Sequence, residues 1–428
     1  MPESCILMAL GIVLGTIKNS LFGAGVVMNY HQFFLYLLPP IVFEAGYFMP
    51  KTHFVEHLET ILTFSIFGTL ANAILLAIVL FIMPSFQHIG ALNLQTWMVF
   101  SAALSAVDPV AVITTFDELH VNFHLYICIF GESLLNDAVA VAMFRVFSSE
   151  DQVTSTDFVL SFLYMGIGGI VLGFIFGCFV AWITKYTSKI QLFEPIVVIC
   201  ISYLAYLAAE LLAMSSIMAV VVAGFTMQIY TDQNMTERAH HTFVHTIKSV
   251  STIAEILIFI KLGETTASRN LWIYFDTKLA VTVLIAVTII RFITTFGFGY
   301  LVNKLPKSFH ERLSFVDKFM MSYSGLRGAV AFSLIKSLPE SKYLEFETLQ
   351  VFIVTTIVTV LFTTVIQGST IGPLVSFLQI QLENSNESSK KVDLDTNYKL
   401  SYSEEVVDIT ECIFKKCFLD FLNLNCWF

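Results

Sequence analysis

The most informative part of this sequence is Phe130-Gly131-Glu132-Ser133-Leu134-Leu135-Asn136-Asp137-Ala138-Val139, which lies inside the otherwise apolar segment 125–147. On a helix of about 3.6 residues per turn, Glu132 and Asn136 share one face, and Ser133 and Asp137 form the neighbouring pair. Carboxylate, amide and hydroxyl oxygens are the ligands that hard cations prefer, and no His or Cys stands beside them at the spacing that zinc needs. The stretch therefore predicts a cation site on one side of an apolar helix.

The composition shows what surrounds such a helix. The chain has 428 residues, of which 56% are hydrophobic and only 13% are charged, whereas soluble domains carry roughly 25% charged residues. Its 23 Lys and Arg against 33 Asp and Glu give a net charge of -10, which argues against nucleic-acid binding. The hydrophobicity excludes intrinsic disorder, and seven cysteines are too few for a secreted disulfide scaffold. The composition predicts a polytopic membrane protein.

Twelve segments are apolar enough to be membrane helices of about 20 residues. We expect an all-α protein, because an open strand in lipid would leave backbone groups unpaired. The first, eighth and ninth segments are short. The twelve are centred on residues 5–17, 33–48, 61–83, 97–116, 125–147, 158–183, 193–214, 217–230, 250–262, 279–301, 316–335 and 349–374.

The distribution of Lys and Arg predicts the orientation. With both termini in the cytosol, the cytosolic connections and tail carry fourteen basic residues against seven on the opposite side. We expect a transmembrane domain at 1–378, a polar linker at 379–404 and a short cytosolic tail at 405–428. The tail is either an amphipathic helix or loosely ordered.

The remaining cysteines and histidines give no strong indication of a site. Cys128, Cys178 and Cys200 fall in spans, where they are expected to pack as small apolar residues. Three histidines are expected to be ordinary surface residues of a cytosolic loop, with pH sensing as the alternative: His240, His241 and His245.

Ionisable residues inside spans are functional candidates, because each costs at least about 2.5 kcal/mol at the bilayer centre. The alternative for each is a structural ion pair or a position at the end of a span, and this applies most to Glu44, Glu210 and Glu255. The candidates are Glu44, Asp108, Glu132, Asp137, Glu210, Glu255, Arg291 and Arg327.

Two spans contain signals that interrupt a helix. In the fourth span, Pro109 removes a backbone donor, and Asp108 can cap a second half-helix; a prolyl kink without function is the alternative. In the eleventh, Gly325 and Gly328 bracket Arg327, which can bind exposed carbonyls or a carboxylate.

The two interrupted spans are seven spans apart. Spans three to five and ten to twelve then correspond, which indicates repeated halves with a binding site near the bilayer midplane, as in secondary transporters. If each repeat has six spans with one spacer between them, the first repeat is one span short. We therefore expect that an N-terminal span is missing.

Residues 2–378 resemble the sodium/proton exchanger family of the cation/proton antiporter superfamily, in particular its plasma-membrane-type animal members. The two long motifs, Phe130 to Val139 and Gly325-Leu326-Arg327-Gly328-Ala329, are highly specific in combination. The other marks are Pro2-Glu3-Ser4-Cys5, Phe33-Phe34-Leu35, Leu38-Pro39-Pro40-Ile41, Ala45-Gly46-Tyr47-Phe48 and Ser105-Ala106-Val107-Asp108-Pro109-Val110-Ala111-Val112.

The resemblance implies an antiporter fold, with two inverted six-helix repeats whose discontinuous helices cross, and with the family's first helix missing here. It implies a homodimer in the plasma membrane or an endomembrane that exchanges one Na⁺ for one H⁺ electroneutrally and regulates intracellular pH and sodium. Li⁺ is a second cation to consider. The chain would be a transporter, not an enzyme, and would need no cofactor.

The resemblance also implies roles for single residues. Asp137 would bind Na⁺ and carry the proton, with Asn136, Ser133 and the unwound backbone around Asp108 completing the site. Two of the roles are structural: Glu132 would pair with Arg291, and Arg327 would neutralise the crossed half-helices. Residues Phe34 to Leu38, together with Glu210, would form the region that binds amiloride-type inhibitors.

The chain departs from the family pattern at several points. Glu44 stands where plasma-membrane members have Asp, and Ala213 replaces a His near the inhibitor region. Residues 379–428 are far shorter than the usual regulatory tail and align poorly with the segment that binds calcineurin-homologous protein, which argues against that partner. A transport-inactive or regulatory paralogue is therefore an alternative. An intramembrane aspartyl protease using Asp108 and Asp137 is a remote one, since its Gly-x-Gly-Asp signature is missing.

Overall fold

The computed structural model describes residues 3–22, 32–83, 92–108, 110–119, 121–148, 155–187, 193–268, 271–304, 312–338 and 345–378. Within these ranges the chain forms helices and no extended strand, as the sequence predicts. Pro109, the predicted linker at 379–404 and the predicted tail at 405–428 lie outside the described residues.

The helices are numbered here in chain order. The first half contains α1 (Glu3–Phe22), α2 (Phe33–Phe48), α3 (Lys51–Glu56), α4 (Leu58–Ile82), α5 (Leu94–Ser105), α6 (Val110–Leu119), α7 (Phe123–Phe147) and α8 (Ser155–Thr187). The second half contains α9 (Phe193–Leu211), α10 (Ser216–Asn234), α11 (Glu237–Thr266), α12 (Thr277–Lys304), α13 (Phe315–Tyr323), α14 (Ala329–Lys336) and α15 (Phe346–Phe377).

These helices account for the twelve predicted spans. Eight are long and apolar enough to cross a membrane, and α2 and α10 are shorter apolar helices. The other two predicted spans are interrupted pairs, α5 with α6 and α13 with α14. The described chain is therefore that of a multi-pass membrane protein.

One predicted span is much longer than its apolar stretch. Residues 250–262 lie in the C-terminal half of α11, which has 30 residues. The N-terminal half of this helix carries three residues expected in a loop, His240, His241 and His245. That expectation was wrong, because the helical hydrogen bonds continue through a polar segment that an apolar window does not detect. The first span is likewise longer than predicted, with 20 residues in α1.

The burial pattern separates inner from outer helices. Among the eight long apolar helices, α7 is the most deeply buried and α8 the least. Large apolar side chains of α8 point outward, including Ile167 and Ile175, each 56% exposed, and Trp182, 60% exposed. In water such a surface would be unfavourable, whereas lipid tails would cover it without loss.

Small residues let the membrane helices approach closely. A Cβ atom on Gly263 of α11 would lie 2.3 Å from the carbonyl oxygen of Met8 in α1. A Cβ on Gly173 of α8 would lie 2.3 Å from the carbonyl oxygen of Ala219 in α10. Such backbone contact is typical of helix pairs in lipid, where van der Waals packing drives association.

Candidate functional site

The break between α5 and α6 is organised by Asp108. Its Oδ1 accepts a hydrogen bond from the backbone N–H of Val110 at 3.1 Å, which confirms the predicted capping of the second half-helix. Its own backbone N–H donates to the carbonyl oxygen of Leu326 at 2.9 Å. Because Leu326 belongs to the segment between α13 and α14, the two interrupted spans meet at their breaks.

The glycines of the second break are required for space. Gly328, at φ -130° and ψ -160°, has an extended backbone that other residues also adopt. A Cβ atom there, however, would lie 1.9 Å from Oδ2 of Asp108, well inside van der Waals contact. A Cβ on Gly325 would lie 2.8 Å from Nε of Arg291. The close approach of neighbouring side chains explains both glycines.

Arg327 joins the two broken helices. It is 2% exposed, and its Nη1 donates to the carbonyl oxygens of Ser105 at 2.7 Å and Ala106 at 3.1 Å. These carbonyls end α5, so the guanidinium lies where the helix dipole favours a positive charge. Arg327 was expected to bind either exposed carbonyl groups or a carboxylate, and the structure shows the carbonyl contacts.

Thr363 holds the backbone of Arg327 from a third helix. Its Oγ1 accepts a hydrogen bond from the Arg327 N–H at 3.1 Å. Thr363 lies in a π-helical turn within α15, Phe362–Gln367, and such turns are frequent at functional sites. Sequence reasoning missed this residue, because a threonine in an apolar span gives no distinctive signal.

Helix α7 brings Asn136 and Asp137 to this crossing. Asn136 is fully buried, and within the described part of the chain neither its Oδ1 nor its Nδ2 has a hydrogen-bond partner. Oδ1 of Asp137 is also buried, with no partner among the described residues. The carboxylates of Asp137 and Asp108 are close enough for their charges to interact.

Ser133 lies one helical turn before Asp137 and is 2% exposed. Its hydroxyl donates to the carbonyl oxygens of Ile129 at 2.8 Å and Phe130 at 3.2 Å. The hydroxyl proton is thus directed along its own helix, and the lone pairs of the oxygen are free to accept or to coordinate.

Glu132 is engaged in a buried ion pair with Arg291. Nη1 of Arg291 and Oε1 of Glu132 are 2.5 Å apart, and the two side chains are 4% and 2% exposed. Nη2 of Arg291 also donates to the carbonyl oxygen of Met321 at 3.1 Å. The bridge therefore links α7, α12 and α13, and it leaves Asp137 as the unengaged carboxylate of α7.

A second polar link in the same region escaped sequence reasoning. The Thr294 hydroxyl, on α12, donates to Oδ1 of Asn72, on α4, at 2.7 Å, and both residues are buried. The sequence did contain one indication: Asn72 is a single amide in an apolar span, where an unpaired polar group is unfavourable, so a polar partner could have been expected.

The predicted inhibitor region is divided between α2 and α9. The phenolic oxygen of Tyr203 donates to the carbonyl oxygen of Leu35 at 3.0 Å, next to Phe34 on α2; Leu38, one turn further along, is 3% exposed. Glu210 forms a bidentate ion pair with Arg145 of α7, with both distances at 2.7 Å. Glu210 therefore takes part in a structural ion pair, which was the alternative to a functional role.

Other acids lie near the crossing. The carboxylate of Glu255 on α11 interacts electrostatically with those of Asp108, Glu44 and Glu3. A group of like charges of this kind attracts cations. These carboxylates therefore favour a positively charged ligand in their neighbourhood.

Comparisons with known proteins give consistent results. The family profile described as "Sodium/hydrogen exchanger, transmembrane" matches residues 1–377. The probable Na(+)/H(+) antiporter nhx-9 of Caenorhabditis elegans is 36% identical, covering 90% of this chain and 58% of the relative. Sodium/hydrogen exchanger 2 of Oryctolagus cuniculus is 36% identical (93% and 49%), and sodium/hydrogen exchanger 3 of Didelphis virginiana is 38% identical (90% and 46%). The chain spans about half the length of the curated relatives it matches.

Among solved structures, the chain is similar to the sodium proton antiporter MjNhaP1 from Methanocaldococcus jannaschii at pH 8. The TM-score is 0.70, with 89% of this chain and 92% of that chain covered. At 19% sequence identity, this likeness shows a shared antiporter fold.

Proposed function

Because the chain belongs to the sodium/hydrogen exchanger family, we propose that it is a secondary active transporter that exchanges Na⁺ for H⁺ across a membrane. Its relatives are named as exchangers and antiporters, which are transporters and not enzymes. We further propose that the exchange is electroneutral, that Li⁺ can replace Na⁺, and that it regulates intracellular pH and sodium.

The observation that carries the proposal is the set of unsatisfied oxygens at the crossing. Oδ1 of Asp137 and Oδ1 of Asn136 are buried without a partner among the described residues. An unpaired buried polar atom is unfavourable, and an unpaired buried charge is more so. Either a proton on Asp137 or a cation shared by these oxygens removes the penalty.

Competition between the two ligands then produces exchange. A buried carboxylate oxygen without a partner among the described residues is unfavourable when ionised, and a proton on Asp137 removes that charge. A bound Na⁺ reverses this preference, because it stabilises the ionised form. If the cavity changes its accessible side readily only when Asp137 carries one ligand or the other, each Na⁺ moves against one H⁺.

Two neighbours support a single exchanged charge. Asn136 is neutral, whereas a carboxylate at that position could carry a second charge. Glu132 is neutralised by Arg291 and is thereby withdrawn from proton transfer. One alternating carboxylate favours a one-for-one stoichiometry.

The change of access is proposed to be a rigid-body movement of one bundle against the other. Arg327 would keep the broken helices together during that movement, because it binds the carbonyls at the end of α5. We propose residues 1–378 as the ion-exchange domain, acting as a homodimer in the plasma membrane.

The experiment is sodium-driven proton flux in vesicles that contain the purified full chain. We expect Asp137→Asn to abolish flux, since the amide can neither bind a proton for transport nor supply a negative charge. Asp157→Asn is the matched control, because Asp157 is exposed in the first turn of α8, and its flux should equal that of the unmodified chain.

Three results would contradict the proposal. Sodium-driven flux that survives in Asp137→Asn, at equal protein content, would exclude Asp137 as the carrier. A sodium-dependent current across the clamped vesicle membrane would exclude one-for-one exchange. Absence of flux from the unmodified chain would favour the transport-inactive alternative.

A further inference from the structure

A second group of ligand-bearing side chains lies away from the cation site. His57 stands at the junction of α3 and α4, and His124 and Cys128 lie in the first two turns of α7. One nitrogen of each imidazole and the thiol sulfur all lie within 4.8 Å of one another. Cys128 is fully buried and His57 is 7% exposed.

The local sequence produces the arrangement on α7. His124 and Cys128 are four residues apart, so they lie one above the other on the same helix face. The start of this helix is held by Asn122, whose Oδ1 accepts the backbone N–H of His124 at 3.1 Å. Two of the three ligands therefore come from one capped helix.

The distance between the two imidazoles fits a shared metal ion. Nδ1 of His124 and Nε2 of His57 are 3.1 Å apart, with ring centroids at 4.3 Å and an interplanar angle of 59°. Two nitrogens bound to one tetrahedral zinc are roughly 3.3 Å apart, given Zn–N bonds of about 2.0–2.1 Å. The two imidazoles thus need only a small shift to share an ion, whereas the sulfur is placed only to within 4.8 Å of their nitrogens and has to move closer.

A second contact holds the connection that carries His57 against the start of α7. The ring of His53, in α3, packs against that of Phe123, the first residue of α7, with centroids 4.9 Å apart. This aromatic contact helps to hold the connection before α4 against the start of α7.

We propose that His57, His124 and Cys128 bind a borderline-soft transition-metal ion, of which Zn²⁺ is the probe. The metal would take a lone pair from each neutral imidazole and from the thiolate, and the thiol proton would pass to solvent. Three protein ligands leave a fourth position for water, as in open zinc sites.

This site is distinct from the proposed cargo site in both chemistry and position. The cargo site offers hard oxygen ligands, whereas this one offers nitrogen and sulfur. Cys128 precedes Asp137 by nine residues, about 14 Å along the helix. A metal here would fasten the α3–α4 junction to α7, the helix that carries Asp137.

The test uses the purified full chain, stripped with a chelator and titrated with Co²⁺ and then Zn²⁺. We expect a thiolate-to-cobalt charge-transfer band that saturates at one ion per chain and disappears when Zn²⁺ is added. Cys128→Ser should remove the band and weaken Zn²⁺ retention more than about 100-fold, beyond what outer-shell changes cost. Cys178→Ser and His241→Asn, which lie outside the cluster, should keep both properties.

The measurements separate a metal site from a simple imidazole–imidazole hydrogen bond. No cobalt band in the unmodified chain, or an equal band in Cys128→Ser, would overturn the proposal. Because Cys128 is fully buried, its replacement can disturb folding, which gel filtration and circular dichroism would show. His57→Asn then decides, since His57 lies between two helices; Zn²⁺ retention equal to that of the unmodified chain would also refute the site.

Discussion

Asp108 and Gly328 determine, at the scale of single residues, how closely the two broken helices approach. The carboxylate of Asp108 caps α6 through Val110 and occupies the space beside Gly328 that a larger side chain would need. The same residue donates its backbone N–H to Leu326. The absence of a side chain at Gly328 therefore leaves room for Asp108, whose backbone hydrogen bond to Leu326 joins the two breaks.

We expect Gly328→Ala to displace Asp108, because the new Cβ would lie 1.9 Å from its Oδ2. Sodium-driven flux should fall strongly, and the free energy of unfolding should drop by about 1–3 kcal/mol, as for overpacked sites. Gly297→Ala is the matched control, since a Cβ there meets no atom within 4 Å. Vesicle flux and thermal unfolding in detergent are the measurements. Equal behaviour of the two variants would contradict the assigned close contact.

Helix α7 is held, at the scale of the elements, by two ion pairs of different burial. Glu132 and Arg291 are 2% and 4% exposed and tie α7 to α12. Arg145 and Glu210 are 29% and 39% exposed and tie the end of α7 to α9. Breaking a buried pair leaves an uncompensated charge, whereas an exposed partner can be solvated.

Double-mutant cycles should separate the two pairs. Glu132→Gln and Arg291→Gln should each lower the free energy of unfolding by about 3–5 kcal/mol. Their combination should be far from additive. For Arg145→Gln and Glu210→Gln we expect about 0–1 kcal/mol. Denaturant unfolding in detergent measures both cycles, and strict additivity for the Glu132–Arg291 pair would argue against a direct bridge.

The whole molecule is shaped by its contact with lipid. Its outer surface is apolar where α8 lies, and its interior is centred on α7. Two tryptophans differ in the same sense: Trp182 on α8 is 60% exposed, whereas Trp97, on the helix α5 that packs against α7, is 3% exposed. The polar site is therefore enclosed by helices, and α8 presents mainly apolar side chains outward.

Brominated lipids quench tryptophans that they touch, which tests this arrangement. A variant whose sole tryptophan is Trp182 should be quenched strongly in vesicles of brominated phosphatidylcholine. A variant that keeps only Trp97 should be quenched several-fold less, because its ring is shielded by protein. Equal quenching of the two variants would contradict the outward orientation of α8.

Much of this architecture follows from local signals. The break at Asp108 was predictable, because a proline in mid-span cannot continue a helix. The Glu132–Arg291 pair was expected from a family resemblance and is observed at 2.5 Å. The extent of α11 was not predictable from apolarity, since hydrogen bonding carries a helix through its polar first turns.

Local sequence predicted the apolar helices, the two interruptions and the polar residues of α7, because burial in lipid imposes strong rules on composition and on helix-breaking residues. The packing of the helices settles which groups meet: Asp108 with Gly328, Thr363 with Arg327, and His57 with His124 and Cys128. These partners are distant along the chain or differ from their neighbours by no periodic signal. Their contacts arise from the packing of helices, which no single stretch of sequence encodes.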